Sequence, residues 1–124
     1  MHIFQRRDHA TERDPLYAVY DAAGDGGIWL ATTYVHKMRQ WNTVKQLSPD
    51  GVDPQVFEGH TGSYLLLFKT SAGADSEQLA LSYFTDFDSF QSNQPNATLL
   101  IDKRDHEELW PAETPKPLSL ATPL

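Results

Sequence analysis

The densest set of side chains suited to chemistry is Glu58-Gly59-His60-Thr61-Gly62-Ser63. A serine nucleophile needs a base within hydrogen-bond reach and an acid that orients the base. His60 and Glu58 are the required types, so one reading is a small-molecule-binding protein or minor hydrolase with a pocket near Gly59-Ser63. Spacing alone does not impose that geometry, and Gly-x-Ser-x-Gly is absent from the chain. Glycines also let backbone amides approach an anion. A phosphate cradle, however, opens a helix and carries a lysine, and this loop does neither. A turn using glycine for positive φ accounts for the same residues.

Metal chemistry finds no pattern. The five histidines are His2, His9, His36, His60 and His106, and no two stand four apart. Glu58-Gly59-His60 and His106-Glu107-Glu108 place carboxylates beside histidines, but neither has a third ligand close in sequence. There is no cysteine, which removes thiolate ligands, thiol nucleophiles and disulfides together. Asp86-Phe87-Asp88 resembles the Asp-x-Asp element of nucleotide-sugar glycosyltransferases. The nucleotide-binding sheet of those enzymes exceeds this chain, and carboxylates starting a helix explain the pair. No catalytic residue, cofactor or metal is expected.

Ten lysines and arginines against 17 acids give a net charge of −7, the wrong sign for a general nucleic-acid or anionic-membrane binder. Basic residues do gather locally: Lys37, Arg39 and Lys45 bracket Trp41. Segment 35–47 holds no acid, whereas 71–93 holds Asp75, Glu77, Asp86 and Asp88 and no base. Opposed charge can orient a contact within one chain or between two copies, but buried aromatic anchors must supply the affinity. The leading expectation is therefore a small non-catalytic binding or regulatory protein. It would act through protein contacts, self-association included, with Trp41, Lys37, Arg39, Phe87 and Phe90 as contact residues. In the alternative, Trp29, Tyr17, Tyr34 or the loop that holds His60 would line a pocket.

These residues need elements to position them. A chain of 124 residues, 40% hydrophobic and 22% charged, is read as one globular domain over 1–110. Pro111, Pro115, Pro117 and Pro123 mark 111–124 as a mobile tail. Residues 16–21 and 28–35 flank Ala23-Gly24-Asp25-Gly26-Gly27 and predict a β-hairpin. Gly27-Ile28-Trp29 resembles the Gly-x-Trp signature of lipocalin first strands over three residues. A tryptophan packed on its own hairpin accounts for it.

Residues 64–70 read as a strand apolar on both faces, hence central in a sheet. Residues 79–84 read as a strand leading into a short helix, with Thr85 as N-cap and Asn93 and Pro95 as its stop. Val56 and Phe57 suggest a brief strand, and 98–102 a longer one. Met38, Trp41, Val44 and Leu47 suggest a helix over 36–47.

Laying 30–41 over 79–90 aligns Leu30, Ala31 and Tyr34 with Leu79, Ala80 and Tyr83, and Trp41 with Phe90, which suggests a duplicated hairpin-helix-strand unit. The expected fold is α+β, a mainly antiparallel sheet of about six strands with one or two short helices. The longest apolar run is the five residues from Tyr64 to Phe68, and no signal-peptide core follows the N-terminus, so a cytoplasmic location is expected.

Overall fold

The computed structural model describes residues 1–22, 26–70 and 77–102. They form two four-stranded antiparallel sheets. The first contains β1 (His2–Phe4), β2 (Leu16–Asp21), β3 (Ile28–Thr33) and β4 (Asn42–Ser48) in sequence order. The second repeats that simple meander with β5 (Val52–Glu58), β6 (Tyr64–Thr70), β7 (Gln78–Phe84) and β8 (Ala97–Asp102). One α-helix, α1 (Phe87–Gln91), joins β7 to β8, and one 3₁₀ turn, Val35–Lys37, follows β3.

The expected hairpin is β2 and β3, with Gly26 and Gly27 at φ 73° and 87° where the turn demands left-handed backbone. A side chain on Gly27 would run into the Ser48 carbonyl of β4, so glycine also permits close strand approach. Trp29 lies opposite Tyr20 and donates its indole N–H to the Gly26 carbonyl at 3.2 Å, packing on its own hairpin. β6 is an interior strand of the second sheet, as its two apolar faces predict.

Other expectations are corrected. The described residues form eight strands in two sheets, not one sheet of about six. The helix expected over 36–47 is a 3₁₀ turn followed by β4, whose only buried residue is Leu47. Register shifts beside Ile28/Trp29 and Leu30/Ala31 break the two-residue period there, and a three-residue apolar spacing results. The duplicated unit also differs from expectation. Each half is a four-stranded meander with a leading strand of its own, and among the described residues only the second carries an α-helix. The cap of α1 is Asp86 rather than Thr85. The Asp86 carboxylate accepts the Ser89 N–H at 2.8 Å and Ser89 Oγ accepts the Asp86 N–H at 3.4 Å, a reciprocal box. The tail expected over 111–124 lies outside the described residues.

The core lies between the sheets. Tyr17, Val19, Ile28, Leu30 and Leu47 face it from the first sheet, and Val56, Tyr64, Leu66, Phe68, Ala80 and Phe84 from the second. α1 plugs one end, because Phe87 and Phe90 stand three apart on one helical face. Phe87 packs 4.8 Å from Tyr17 and Phe90 packs 5.2 Å from Phe84, centroid to centroid, in tilted and edge-to-face arrangements.

Candidate functional site

Two places in this fold could bind something, and different elements build them. The first is at the plugged end. β1 runs into a loop, residues 5–15, which passes beside the end of β5 and the start of β6. Residues 59–63 connect those two strands. The Gly59 N–H donates to the Ser63 carbonyl at 2.8 Å and the Gly62 N–H to the Gly59 carbonyl at 3.2 Å, with Gly62 at φ 81°. The sequence places a tight glycine turn here, and that is what forms.

Glu58 closes the seam between the sheets. Its carboxylate accepts the Tyr64 hydroxyl at 2.6 Å and the Arg7 backbone N–H at 3.0 Å, and the Arg7 guanidinium lies 3.6 Å away. Arg7 also donates to the Glu58 carbonyl at 3.1 Å. Its remaining arm stands 3.4 Å from His60 Nδ1, which accepts only when that nitrogen carries no proton. Burial pushes the Tyr64 phenol above the usual tyrosine range, and the bond it donates to Glu58 adds to the effect. Arg6 stacks over Phe87 at 4.5 Å and pairs with Asp8 at 3.5 Å, yet its Nε is buried with no hydrogen-bond acceptor among the described residues. The hydrogen bond from His9 holds the Asp8 carboxyl below its ordinary value.

These residues line a cleft of about 260 Å³, bounded by Arg6, Arg7, Asp8, Glu58, Tyr64 and residues 59–62. The volume falls below the ~300–1,000 Å³ of pockets for drug-sized ligands. It suits a few-atom ligand. Among the described residues, no hydrogen bond joins Ser63, His60 and Glu58, and Glu58 is engaged by Tyr64 and Arg7 instead. No group of three potential metal ligands occurs among the described residues.

Of the residues singled out from sequence, His60 is exposed at this cleft. Lys37 and Arg39 are exposed in and beyond the 3₁₀ turn, and Trp41 is half-buried just before β4. No ion pair joins Lys37 or Arg39 to Asp86 or Asp88 among the described residues. Phe87 and Phe90, expected as contact residues, are core residues at 5% and 0% exposure. Tyr17 is buried in the core, Trp29 is half-buried on the β2–β3 hairpin and Tyr34 is exposed. Arg6, Arg7 and Tyr64 were not singled out as partners of the 59–63 loop. The Arg6-Arg7 pair is visible in the sequence, but its partner Glu58 lies 51 residues further on.

The second place is the outer face of the second sheet. Strand register puts Phe57, Leu65, Tyr83 and Ala97 in one cross-strand row and Gln55, Leu67, Leu81 and Leu99 in the next. Neither row holds a charge. Phe57, Tyr83 and Leu99 are 49%, 41% and 56% exposed, while Leu65, Leu67 and Leu81 are half-buried. The lower row is different: Lys69 and Leu79 are buried, and Lys69 pairs with Asp53 at 2.9 Å. An antiparallel sheet with one face on the core usually turns polar side chains outward. This face does the reverse.

No helix among the described residues is long and apolar enough to cross a membrane. The chain matches no protein-family model, no curated protein and no solved structure.

Proposed function

We propose that this chain is a non-catalytic binding protein that acts through protein contacts, and that the outer face of the second sheet is its contact surface. The observation that carries the reading is the pair of uncharged cross-strand rows containing Phe57, Tyr83 and Leu99. Contiguous exposed apolar surface of this kind, on a chain of net charge −7, marks an interaction site more often than an ordinary surface. Aromatic residues in such a patch are the usual anchors of an interface. Trp41, Lys37 and Arg39 sit on a different surface, at the plugged end.

The test is a Phe57→Lys/Tyr83→Lys double variant. It should keep the wild-type melting temperature and lose association, whether with itself or with another protein. Trp41→Ala is the companion variant. If association survives in the face variant and disappears in Trp41→Ala, the contact surface is the basic loop and the face reading fails.

A second reading rests on Arg6. A buried guanidinium nitrogen without an acceptor among the described residues, at the wall of a small cleft that also holds Arg7 and His60, suits a small oxyanion. A thermal melt with phosphate, sulfate and acetate tests it. A ligand at ~100 times its dissociation constant adds about 2.7 kcal/mol. No shift with any of the three anions rejects the reading.

A further inference from the structure

The second sheet ends on β8, and its neighbours show what is unusual about that edge. β5, the opposite edge of the same sheet, carries Pro54 and a register shift between Val52 and Gln55, with Asp53 at φ 56°. In the first sheet, β1 has only three residues. The other edge there, β4, is bulged twice against β3 and approached by the Asn93 side chain at the Gln46 carbonyl. Short edges, prolines, bulges and charges are the devices by which sheets avoid pairing with other chains. β8 has none of them between Ala97 and Ile101. It pairs with β7 through six unbroken register partners, and among the described residues no strand lies on its other side. Leu99 and Leu100, on opposite faces of the sheet, are 56% and 59% exposed.

We infer that β8 pairs antiparallel with β8 of a second copy, joining two four-stranded sheets into one of eight strands; this rests on the protein-contact reading above and names the partner. Three features favour a copy over a foreign chain. An antiparallel strand is its own complement about a two-fold axis normal to the sheet. Directly paired residues must share a face, so some residue faces its own copy across the axis, and centring the six residues of β8 makes that residue Leu99 or Leu100. The uncharged row Gln55-Leu67-Leu81-Leu99 then continues into the same row of the partner, or into the row next to it. Finally, the one charge on the strand is harmless. Asp102 falls opposite Asn96 of the partner subunit with the axis at Leu99, and opposite Thr98 of the partner subunit with the axis at Leu100.

Two chains of net charge −7 repel each other on average, and an edge without charge from Ala97 to Ile101 adds nothing to that repulsion. Six residues per copy fall short of the ~800 Å² per partner of a stable interface, so the dimer should dissociate on dilution.

The experiment combines sedimentation equilibrium with oxidation of single-cysteine variants, which a cysteine-free chain makes unambiguous. The wild type should show a concentration-dependent monomer–dimer equilibrium. Leu99→Lys/Leu100→Lys should weaken it by about tenfold or more. Oxidation should cross-link either Leu99→Cys or Leu100→Cys, and not Phe57→Cys. The cysteine variants keep the test decisive if the lysine variant does not fold. A wild type that stays monomeric at every concentration overturns the pairing. If that monomer still binds another protein through the face around Phe57 and Tyr83, the protein-contact reading survives without it. A dimer cross-linked only at Phe57→Cys stacks face to face, which also overturns edge pairing.

Discussion

Glu58 shows how one polar side chain can tie distant parts of a small fold. It holds Tyr64 of its own sheet and the Arg7 backbone of the loop after β1, across the seam. At the other end of β5 the Asp53 N–H donates to Asp21 of β2 at 3.1 Å, so the strand is fastened at both ends. Hydrogen bonds to a charged acceptor contribute about 1.5–3 kcal/mol. Glu58→Ala should therefore cost about that much, since it leaves the Tyr64 hydroxyl without its acceptor. Chemical denaturation checks this, and a Tyr64→Phe/Glu58→Ala double-mutant cycle isolates the pair. Additivity of the two single changes would mean that the bond contributes nothing. The raised Tyr64 phenol has a consequence for pH. An unfolded tyrosine loses its proton near pH ~10, whereas the folded chain keeps Tyr64 protonated to higher pH. The unfolded state then binds fewer protons, so stability falls as pH rises. The contribution is complete below pH ~10 and is lost above it. Burial raises Tyr17 as well, so Tyr64→Phe should flatten the alkaline loss of stability only in part. An unchanged alkaline limb in denaturant midpoints would contradict the assignment.

At the scale of elements, α1 depends on its start. A five-residue helix has no propensity to form alone, so the reciprocal Asp86/Ser89 bonds and the two buried phenylalanines must hold it. The Ser89 backbone N–H holds the Asp86 carboxyl below its usual value. Stability from this carboxylate is therefore present above the ordinary aspartate range and fades as pH falls through the lowered value. Asp86→Ala should lower the melting temperature at neutral pH, and the gap to wild type should narrow in acid. A gap independent of pH would place the effect elsewhere. Gly27→Ala should also destabilise, by more than ~1 kcal/mol, because left-handed φ and the Ser48 carbonyl both oppose a side chain there. The elements readable from sequence are those whose signals are local. The turn at Gly26-Gly27 fixes the β2–β3 hairpin, and an uninterrupted apolar run fixes β6. β4 is misread because its two bulges fall at Val44 and Leu47 and destroy the two-residue period, while Met38 and Trp41, which extend the helix-like spacing, belong to the segment before the strand. β1 is too short to carry any period. The 59–63 loop is legible as a glycine turn, whereas its cleft requires Arg6 and Arg7 from the far side of the chain. The apolar outer face is half legible. Leu65 and Leu67 are plain in the sequence, but a strand apolar on both sides reads as covered on both sides.

For the molecule as a whole, the question is whether that outer face is open in the isolated chain, and two phenylalanines can answer it. Phe90 is fully buried, stacked 5.4 Å from Tyr64 and edge-on to Phe84. Truncating such a ring leaves a cavity and costs about 3–5 kcal/mol. A domain has only ~5–15 kcal/mol in total, so Phe90→Ala should remove a large part of the stability. Phe57 has the same side chain and is 49% exposed on β5. Replacing a residue in that setting usually changes stability by no more than ~0.5 kcal/mol. Phe57→Gln should therefore leave the denaturation midpoint of the monomer almost unchanged while weakening any association through the face. Running both variants in one denaturation series makes the contrast internal to the molecule. If Phe57→Gln proves as damaging as Phe90→Ala at a dilution where the chain is monomeric, the face is part of a second core within the chain. It would then not be available to a partner. A small loss for Phe57→Gln beside a large one for Phe90→Ala places the stabilising burial between the sheets and leaves the outer rows free for binding.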